Sequence, residues 1–277
     1  MEIQLWREFL SPYQLAVDEL TIKFRHMKEE FDIQGLYSPI EKVEGRVKSI
    51  DSILDKLQKK NISMNDMEDK IEDIAGIRIT CQFVEDIDRV VEMIRNRQDM
   101  EIRLEKDYIR NKKDSGYRSY HMIISYVVQT IHGPKRLPAE IQIRTMGMNF
   151  WATIEHSLQY KYKGSIPERV QQKLSDASAA IDDIDHAMSE VRDEIMDAQV
   201  YHQKKENTIK DILNNIQNLY KIANKSEVYK IQDEFYRIYE NGDMNELLRY
   251  HDQLDQYAQS NHAQKSRLVD RFIRGED

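Results

Sequence analysis

Two carboxylates lie in or beside short runs that alternate apolar and polar residues. Glu140 belongs to the run LPAEIQIRT at 137–145, and Asp73 precedes a similar run that starts at Ile77. Such alternation is typical of strands with one apolar face. Two carboxylates on neighbouring strands can hold Mg²⁺ against a triphosphate, because Mg²⁺ prefers oxygen ligands completed by substrate phosphate. These residues indicate phosphoryl-transfer chemistry.

Basic residues occur in the segment before Asp73. Arg46 and Lys48 point the same way if this segment is extended, and Lys56 follows on a predicted helix. Exposed surface charges are the simpler interpretation, since most lysines and arginines are exposed. The alternative is a clamp for phosphate groups.

A polar loop adds a second cationic group. Lys112 and Lys113 lie in the segment RNKKDSG, which ends just before Tyr117. Ammonium groups can bind phosphates, and a flat ring can stack on a base. The loop therefore suits a nucleotide.

Composition excludes several classes of protein. The formal charge of −8 argues against binding nucleic acid by bulk electrostatics. Cys81 is the single cysteine, which rules out an intramolecular disulfide and a cysteine zinc cluster. The sequence has no Walker loop, dinucleotide fingerprint, zinc-ligand spacing or nucleophile elbow. It also has no signal peptide and no bilayer-spanning apolar run, so we predict a cytoplasmic protein with no membrane partner.

The elements that must position these residues form an α/β pattern. Alternating runs predict a mixed sheet of about five strands flanked by helices. His132, Gly133 and Pro134 predict a hairpin turn between a long strand that starts at Tyr117 and the strand at 137–145.

Long helices are predicted at both ends of the chain. Ser11 and Pro12 predict the start of an N-terminal helix with an apolar seam, and helix is predicted from Met148 to the chain end. A heptad seam predicts packed helices or a subunit interface. It consists of Leu174, Ala177, Ile181, Ile184, Met188, Val191, Ile195 and Ala198.

Several blocks together resemble the RelA/SpoT family, and in particular its small alarmone synthetases of the RelQ type. The similarity runs from about Trp6 to about Gln203. The blocks are GRVK at 45–48 with SILDK at 52–56, DIAGIR at 73–78, GYRSYH at 116–121 with EIQIRT at 140–145, and MNFWATIEH at 148–156.

The resemblance implies a nucleotidyltransferase-like fold and a specific reaction. The enzyme would be a GTP diphosphokinase that transfers the β,γ-pyrophosphate of ATP to the 3′-hydroxyl of GTP or GDP. The products would be AMP and (p)ppGpp, the alarmone of the stringent response. We expect a synthetase domain at 1–204, with oligomerisation helices at both of its ends, and a helical extension at 205–277.

Family motifs assign the ATP side residue by residue. Arg46 and Arg78 resemble the pair that sandwiches adenine. Lys48 and Lys56 resemble the cations that bind the ATP phosphates. Asp73 resembles the Mg²⁺ ligand.

The acceptor side follows in the same way. Glu140 resembles the carboxylate that assists the metal and activates the 3′-hydroxyl. Tyr117 would stack on guanine, with Lys113, His121 and Gln142 around the GTP or GDP.

The resemblance also implies partners. A homotetramer is expected. Its further ligand would be (p)ppGpp, acting as an effector, or single-stranded RNA. Three positions depart from the family pattern: Ser115 stands where long members often carry Asn, and Lys42 and Glu44 are not the residues expected at the effector cleft.

Two other functions remain open from the sequence. A toxic relative would place pyrophosphate on the 3′ end of tRNA, and a non-catalytic oligomer would bind RNA through its polar helical tail. The similarity at 148–163 favours alarmone synthesis over tRNA modification. The filled catalytic positions count against a non-catalytic protein.

Overall fold

A computed structural model describes residues 2–161, 167–222 and 224–274 of this 277-residue chain. The strands are β1 (Lys42–Val47), β2 (Ala75–Cys81), β3 (Glu101–Asp107), β4 (Tyr120–Thr130) and β5 (Gly133–Thr145). The helices are α1 (Glu2–Ile33), α2 (Ile50–Lys60), α3 (Met67–Lys70), α4 (Val84–Arg95), α5 (Met146–Lys161), α6 (Glu168–Ile222), α7 (Lys225–Asn241) and α8 (Met244–Arg274). A short 3-10 turn, Met64–Asp66, precedes α3.

The sheet has five strands in the order β1-β2-β5-β4-β3. Strands β2 and β5 are parallel, whereas the other neighbouring pairs are antiparallel. The predicted mixed five-stranded sheet is confirmed, and the hairpin predicted at 132–134 joins β4 to β5.

Helix α1 packs its predicted apolar seam against the sheet. Tyr13, Leu20 and Phe24 are fully buried there. The helix begins at Glu2, so the predicted start at Ser11 and Pro12 is wrong. Proline costs a helix one backbone bond, but apolar side chains before it also pack on the core and stabilise the added turns. They are Trp6, Phe9 and Leu10.

The predicted heptad seam on helix α6 becomes more exposed along the helix. Of the predicted heptad seam, Leu174 and Ile181 are half-buried. Four members further along are exposed: Ile184, Met188, Val191 and Ile195.

The chain divides into two compact units, Met1–Glu190 and Val191–Asp277. The first contains the sheet and its core. The second has an apolar core of its own, formed by Ile212, Ile216, Leu219, Val228, Phe235, Leu247, Tyr250 and Leu254. Across the described part of the chain, no helix combines the length and apolarity needed to cross a bilayer.

Candidate active site

Five polar side chains form a closed ring of hydrogen bonds on one face of the sheet. The Tyr117 hydroxyl lies 2.8 Å from His121 Nε2, and His121 Nδ1 lies 2.9 Å from Glu140 Oε1. Gln142 Nε2 donates to Glu140 Oε2 at 2.7 Å. Arg144 Nη2 closes the ring by donating to Gln142 Oε1 at 2.6 Å and to the Tyr117 hydroxyl at 2.5 Å. The ring fixes the direction of each of these side chains.

Strand alternation explains how the ring forms. Glu140, Gln142 and Arg144 share one face of β5, because successive side chains of a strand point to opposite faces. Strand β4 pairs His121 directly with Gln142, which brings the imidazole beside this polar row. The intervening isoleucines of β5 are buried in the core on the other face.

The ring assigns the proton on the imidazole. The Arg144 guanidinium can only donate, so the Tyr117 oxygen accepts from it and has its own hydrogen for His121 Nε2. His121 then donates from Nδ1 to Glu140. This tautomer is assigned from the hydrogen-bond pattern, and it places a donor against the carboxylate.

Glu140 is held as a carboxylate. Burial raises its pKa, but the hydrogen bonds from His121 and Gln142 outweigh burial, so the pKa lies below its ordinary value. Glu140 can therefore accept a proton from a bound hydroxyl near neutral pH.

A second cluster joins the two predicted lysines to Asp73. Lys48 Nζ lies 2.8 Å from Asp73 Oδ2, and Lys56 Nζ lies 2.7 Å from Asp73 Oδ1. Burial raises the pKa of Asp73, but the two ammonium groups outweigh burial and the pKa is lowered. Ser49 positions Lys56 by capping α2, since its hydroxyl accepts from the backbone N–H of Ser52.

Two predicted arginines lie on β1 and β2 beside these clusters. Arg46 pairs in register with Gly76 of β2. Arg78 lies two residues after Gly76, so it is on the same face of the sheet as Arg46. Burial lowers the pKa of Arg78, and the positive charges of Arg144 and Arg46 lower it further. The buried Nε of Arg78 has no hydrogen-bond partner within the described residues. A buried donor in a positive field suits an anionic or aromatic ligand.

The loop at 110–116 is called the acceptor loop here, because Lys113 is predicted to lie beside the acceptor nucleotide. It supplies a cation between two aromatic rings. Lys113 Nζ lies 4.5 Å from the ring centroid of Tyr108 and 4.8 Å from that of Tyr117. Tyr108 stands edge-on to His121, with centroids 5.2 Å apart, and Trp151 approaches Tyr117 at 6.5 Å. Tyr117 therefore belongs both to the hydrogen-bonded ring and to the pair of aromatic side chains that flank Lys113.

The structure thus brings the predicted residues into one neighbourhood, and it adds others. Sequence reasoning placed Arg144 in one polar row with Glu140 and Gln142 but gave it no role in binding or catalysis. Tyr108 and Trp151 carried no comparable signal, because strand pairing and helix packing bring them to Tyr117.

Asp73 and Glu140 fit a magnesium ion. The two lie close enough that the charge of Asp73 raises the pKa of Glu140. Among the described side chains no group of three or more His, Cys, Asp or Glu could hold a metal. Mg²⁺ in nucleotide sites is usually bound by one or two carboxylates, and substrate phosphates and water complete its ligands.

Known proteins resemble this chain over more than two thirds of its length. Residues 45–165 match the region found in RelA / SpoT proteins. The GTP pyrophosphokinase YjbM of Bacillus subtilis (strain 168) is 48% identical over 205 residues, covering 74% of this chain and 97% of that protein. GTP pyrophosphokinase YwaC of the same organism is 38% identical over 192 residues, covering 69% of this chain and 91% of that protein.

A solved structure agrees with these relatives. Small alarmone synthetase 1 from Bacillus subtilis, bound to its product pppGpp, is 49% identical with a TM-score of 0.67, covering 69% of this chain and 98% of that chain. A GTP pyrophosphokinase family protein from Streptococcus pneumoniae has the same TM-score of 0.67 and identity of 49%, covering 70% of this chain and 96% of that chain. With its mixed sheet, its motifs and these relatives, the chain belongs to the RelA/SpoT family.

Proposed function

We propose that this chain is a GTP pyrophosphokinase that makes (p)ppGpp. The 3′-oxygen of GTP or GDP attacks the β-phosphorus of ATP, the bond from that phosphorus to the α-phosphate bridging oxygen breaks, and AMP leaves. The observation that carries this proposal is the hydrogen-bonded ring that holds the Glu140 carboxylate, beside the cluster of Asp73 with two lysines.

The ATP side would work by neutralising charge. Lys48 and Lys56 lie on either side of Asp73 and could reach phosphate oxygens with small side-chain movements. Arg46 and Arg78 would hold the adenine between their guanidinium planes. Pyrophosphoryl transfer depends on alignment and charge stabilisation more than on covalent chemistry.

Asp73 and Glu140 would hold Mg²⁺ when ATP is bound. The ion would neutralise phosphate charge and orient the transferred group. Both carboxylates have lowered pKa values, so both are available as charged oxygen ligands at neutral pH.

The acceptor side would place and deprotonate the nucleotide. Tyr117 would stack on guanine, with Lys113 beside the same ring. Glu140 would take the 3′-hydroxyl proton, while His121 and Gln142 keep the carboxylate in place.

Self-association is part of the proposal. Ile184 and Met188 of α6 are about half exposed, at 56% and 50%, and the apolar seam continues along the same helix. A second copy covering this seam would remove it from water, and a homotetramer is the state we propose. Light scattering at micromolar concentration tests it, since a monomer would exclude it.

Regulation and cell location are also proposed. Lys42 Nζ lies 2.8 Å from Glu44 Oε1 on β1. Phosphates of a product effector would compete with Glu44 for Lys42, so we propose a weak response to added (p)ppGpp. We place the enzyme in the cytoplasm, where ATP and GTP are available.

The second core supports a functional division of the chain. We propose that 1–204 is the synthetase domain and 205–277 a helical extension, because the apolar core of the second unit draws on residues from Ile209 onward.

One assay tests the activity. The purified chain is incubated with β,γ-labelled ATP, Mg²⁺ and GDP, GTP or tRNA, and products are separated by chromatography. Label in ppGpp or pppGpp, with release of AMP and loss of activity in EDTA, is expected. Label on tRNA, or no transfer at all, would contradict the proposal. Glu140→Gln protein is the matched control.

A further inference from the structure

Helix α6 carries a polar stripe on a different face from its exposed apolar seam. Ser178, Asp182, Asp185 and Ser189 follow one another at steps of four, three and four residues, which places them on one helix face. Three of them are buried in the first unit, with 6% exposure for Ser178, 7% for Asp185 and 5% for Ser189. Buried polar groups need partners, and the partners of Ser178, Asp182 and Asp185 lie next to Tyr117 or Arg144 in sequence.

The upper part of the stripe holds the residues on either side of Tyr117. The Ser178 hydroxyl donates to the backbone oxygen of Gly116 at 2.5 Å. Arg118, whose side chain is 5% exposed, forms an ion pair with Asp182, and its Nη2 donates to the backbone oxygen of Ser178 at 3.4 Å. The chain is therefore tied to α6 immediately before and immediately after the proposed guanine-stacking residue.

The contact at Gly116 leaves no room for a side chain. Its φ is +86°, a conformation that side-chain-bearing residues rarely adopt, and an added Cβ would lie 2.7 Å from the Ser178 Cβ. The backbone of the acceptor loop thus lies directly on α6. Residues 111–115 before it are exposed, so these ties to α6 are the buried contacts that help to fix the end of the loop.

The lower part of the stripe reaches the other side of the hydrogen-bonded ring. Asp185 Oδ2 accepts from the Thr145 hydroxyl at 2.7 Å, and Thr145 directly follows Arg144. The same hydroxyl accepts from the backbone N–H of Met148 at 3.0 Å. Both ring members that share the Tyr117 hydroxyl bond, Tyr117 and Arg144, are therefore anchored through their neighbours to one helix face.

We propose that Arg118 is a positioning residue for the acceptor nucleotide, and that Asp182 and Ser178 of α6 hold it. The inference rests on the proposed function. A buried guanidinium without its carboxylate is strongly unfavourable, so the pair with Asp182 keeps Arg118, and with it Tyr117, in one position. Its loss would let the loop move, which weakens GTP and GDP binding and leaves the ATP cluster of Asp73, Lys48 and Lys56 as it is.

The test compares four α6 variants. Asp182→Asn removes the charge and keeps the size, Ser178→Ala removes the bond to Gly116, and Asp182→Glu restores the carboxylate. Asp183→Asn, an exposed carboxylate next along the same helix, is the matched control. For each, KM and kcat are measured with GDP and ATP, the Kd for GDP and for a non-hydrolysable ATP analogue by calorimetry, and the melting temperature.

The expected result is selective. Asp182→Asn should raise the KM and Kd for GDP about tenfold, as expected for loss of a charge-assisted hydrogen bond. Ser178→Ala should act in the same direction, Asp182→Glu should recover most of the affinity, and Asp183→Asn should match the wild type. The Kd for the ATP analogue should stay at the wild-type value in all four.

Two outcomes would overturn the inference. In one, GDP affinity is unchanged in both Asp182→Asn and Ser178→Ala. In the other, affinities for GDP and the ATP analogue fall together with the melting temperature, which is the signature of a purely structural pair. A wild-type chain that neither binds GDP nor forms labelled product would instead overturn the proposed function itself.

Discussion

His121 lies between Tyr117 and the proposed catalytic base, and its Nδ1 is 2.9 Å from Glu140 Oε1. Both side chains are largely buried, with 12% and 16% exposure. A hydrogen bond to the charged form of a carboxylate lowers its pKa, whereas burial alone raises it. The imidazole therefore opposes the effect of burial on the pKa of Glu140.

The first prediction concerns the pH dependence of catalysis. In His121→Ala protein, burial of Glu140 is no longer opposed by the imidazole, so its pKa should rise. A base with a higher pKa becomes protonated at a higher pH. The acidic limb of the profile of kcat/KM against pH should therefore move to higher pH. His132→Ala, in the exposed β4–β5 turn, is the control and should leave the limb in place. If the acidic limb of His121→Ala protein lies at the wild-type pH, the ionisation that it reports is not that of Glu140.

The second prediction concerns the two carboxylates. Asp73→Asn and Glu140→Gln keep the shape and remove a charge, and each should lower kcat by at least about 100-fold, the scale of one transition-state electrostatic contact. Far-ultraviolet circular dichroism should show that the fold is retained. Asp69→Asn, an exposed carboxylate near Asp73 in sequence, should turn over normally. Near-normal rates in both site variants would rule out the assignment.

The third prediction separates the ring of Tyr117 from its hydroxyl. Tyr117→Ala should lose about 1–3 kcal/mol of GDP binding, the range for stacking of a base on an aromatic ring, and should keep ATP binding. Tyr117→Phe retains the ring, so it should retain GDP affinity, but it breaks the hydrogen bonds to His121 and Arg144. We therefore expect the Phe variant to lose kcat more than affinity.

Calorimetric titrations with GDP and an ATP analogue, together with melting temperatures, check the Tyr117 prediction. If Tyr117 were only a packing residue, the Ala variant would melt much earlier and bind both nucleotides less well. Wild-type GDP affinity in Tyr117→Ala would refute stacking.

The fourth prediction concerns the second compact unit. Phe235 is 2% exposed, and its ring stacks on that of Tyr250 with centroids 6.5 Å apart. Phe235→Ala should destabilise the unit by about 3–5 kcal/mol, the usual cost of removing a buried phenylalanine ring, and should lower its melting transition. Synthesis rates should stay normal, because the proposed site lies within the first unit. Tyr236→Ala, at an exposed neighbour, is the matched control, and a fall in synthesis specific to Phe235→Ala would contradict the prediction.

Sequence periodicity determined much of the sheet. Alternation in 137–145 predicted that Glu140, Gln142 and Arg144 share a face, and the structure has them on one face of β5. Period two alone decides which side chains of a strand lie together. The resemblance supplied the roles proposed for these residues, and their catalytic function stays a prediction.

Only the tertiary structure decided which strands and helices meet. Strand β5 lies between β2 and β4, and this order brings Asp73 and Glu140 into one electrostatic neighbourhood. Arg118 and Asp182 are 64 residues apart in sequence, so no local pattern could indicate their ion pair. Likewise, heptad spacing predicted an apolar stripe on α6, but it did not predict that Ser178, Asp185 and Ser189 of this helix are buried within the first unit. Periodicity defines a face of an element, whereas the partner of that face is chosen by packing of the whole chain.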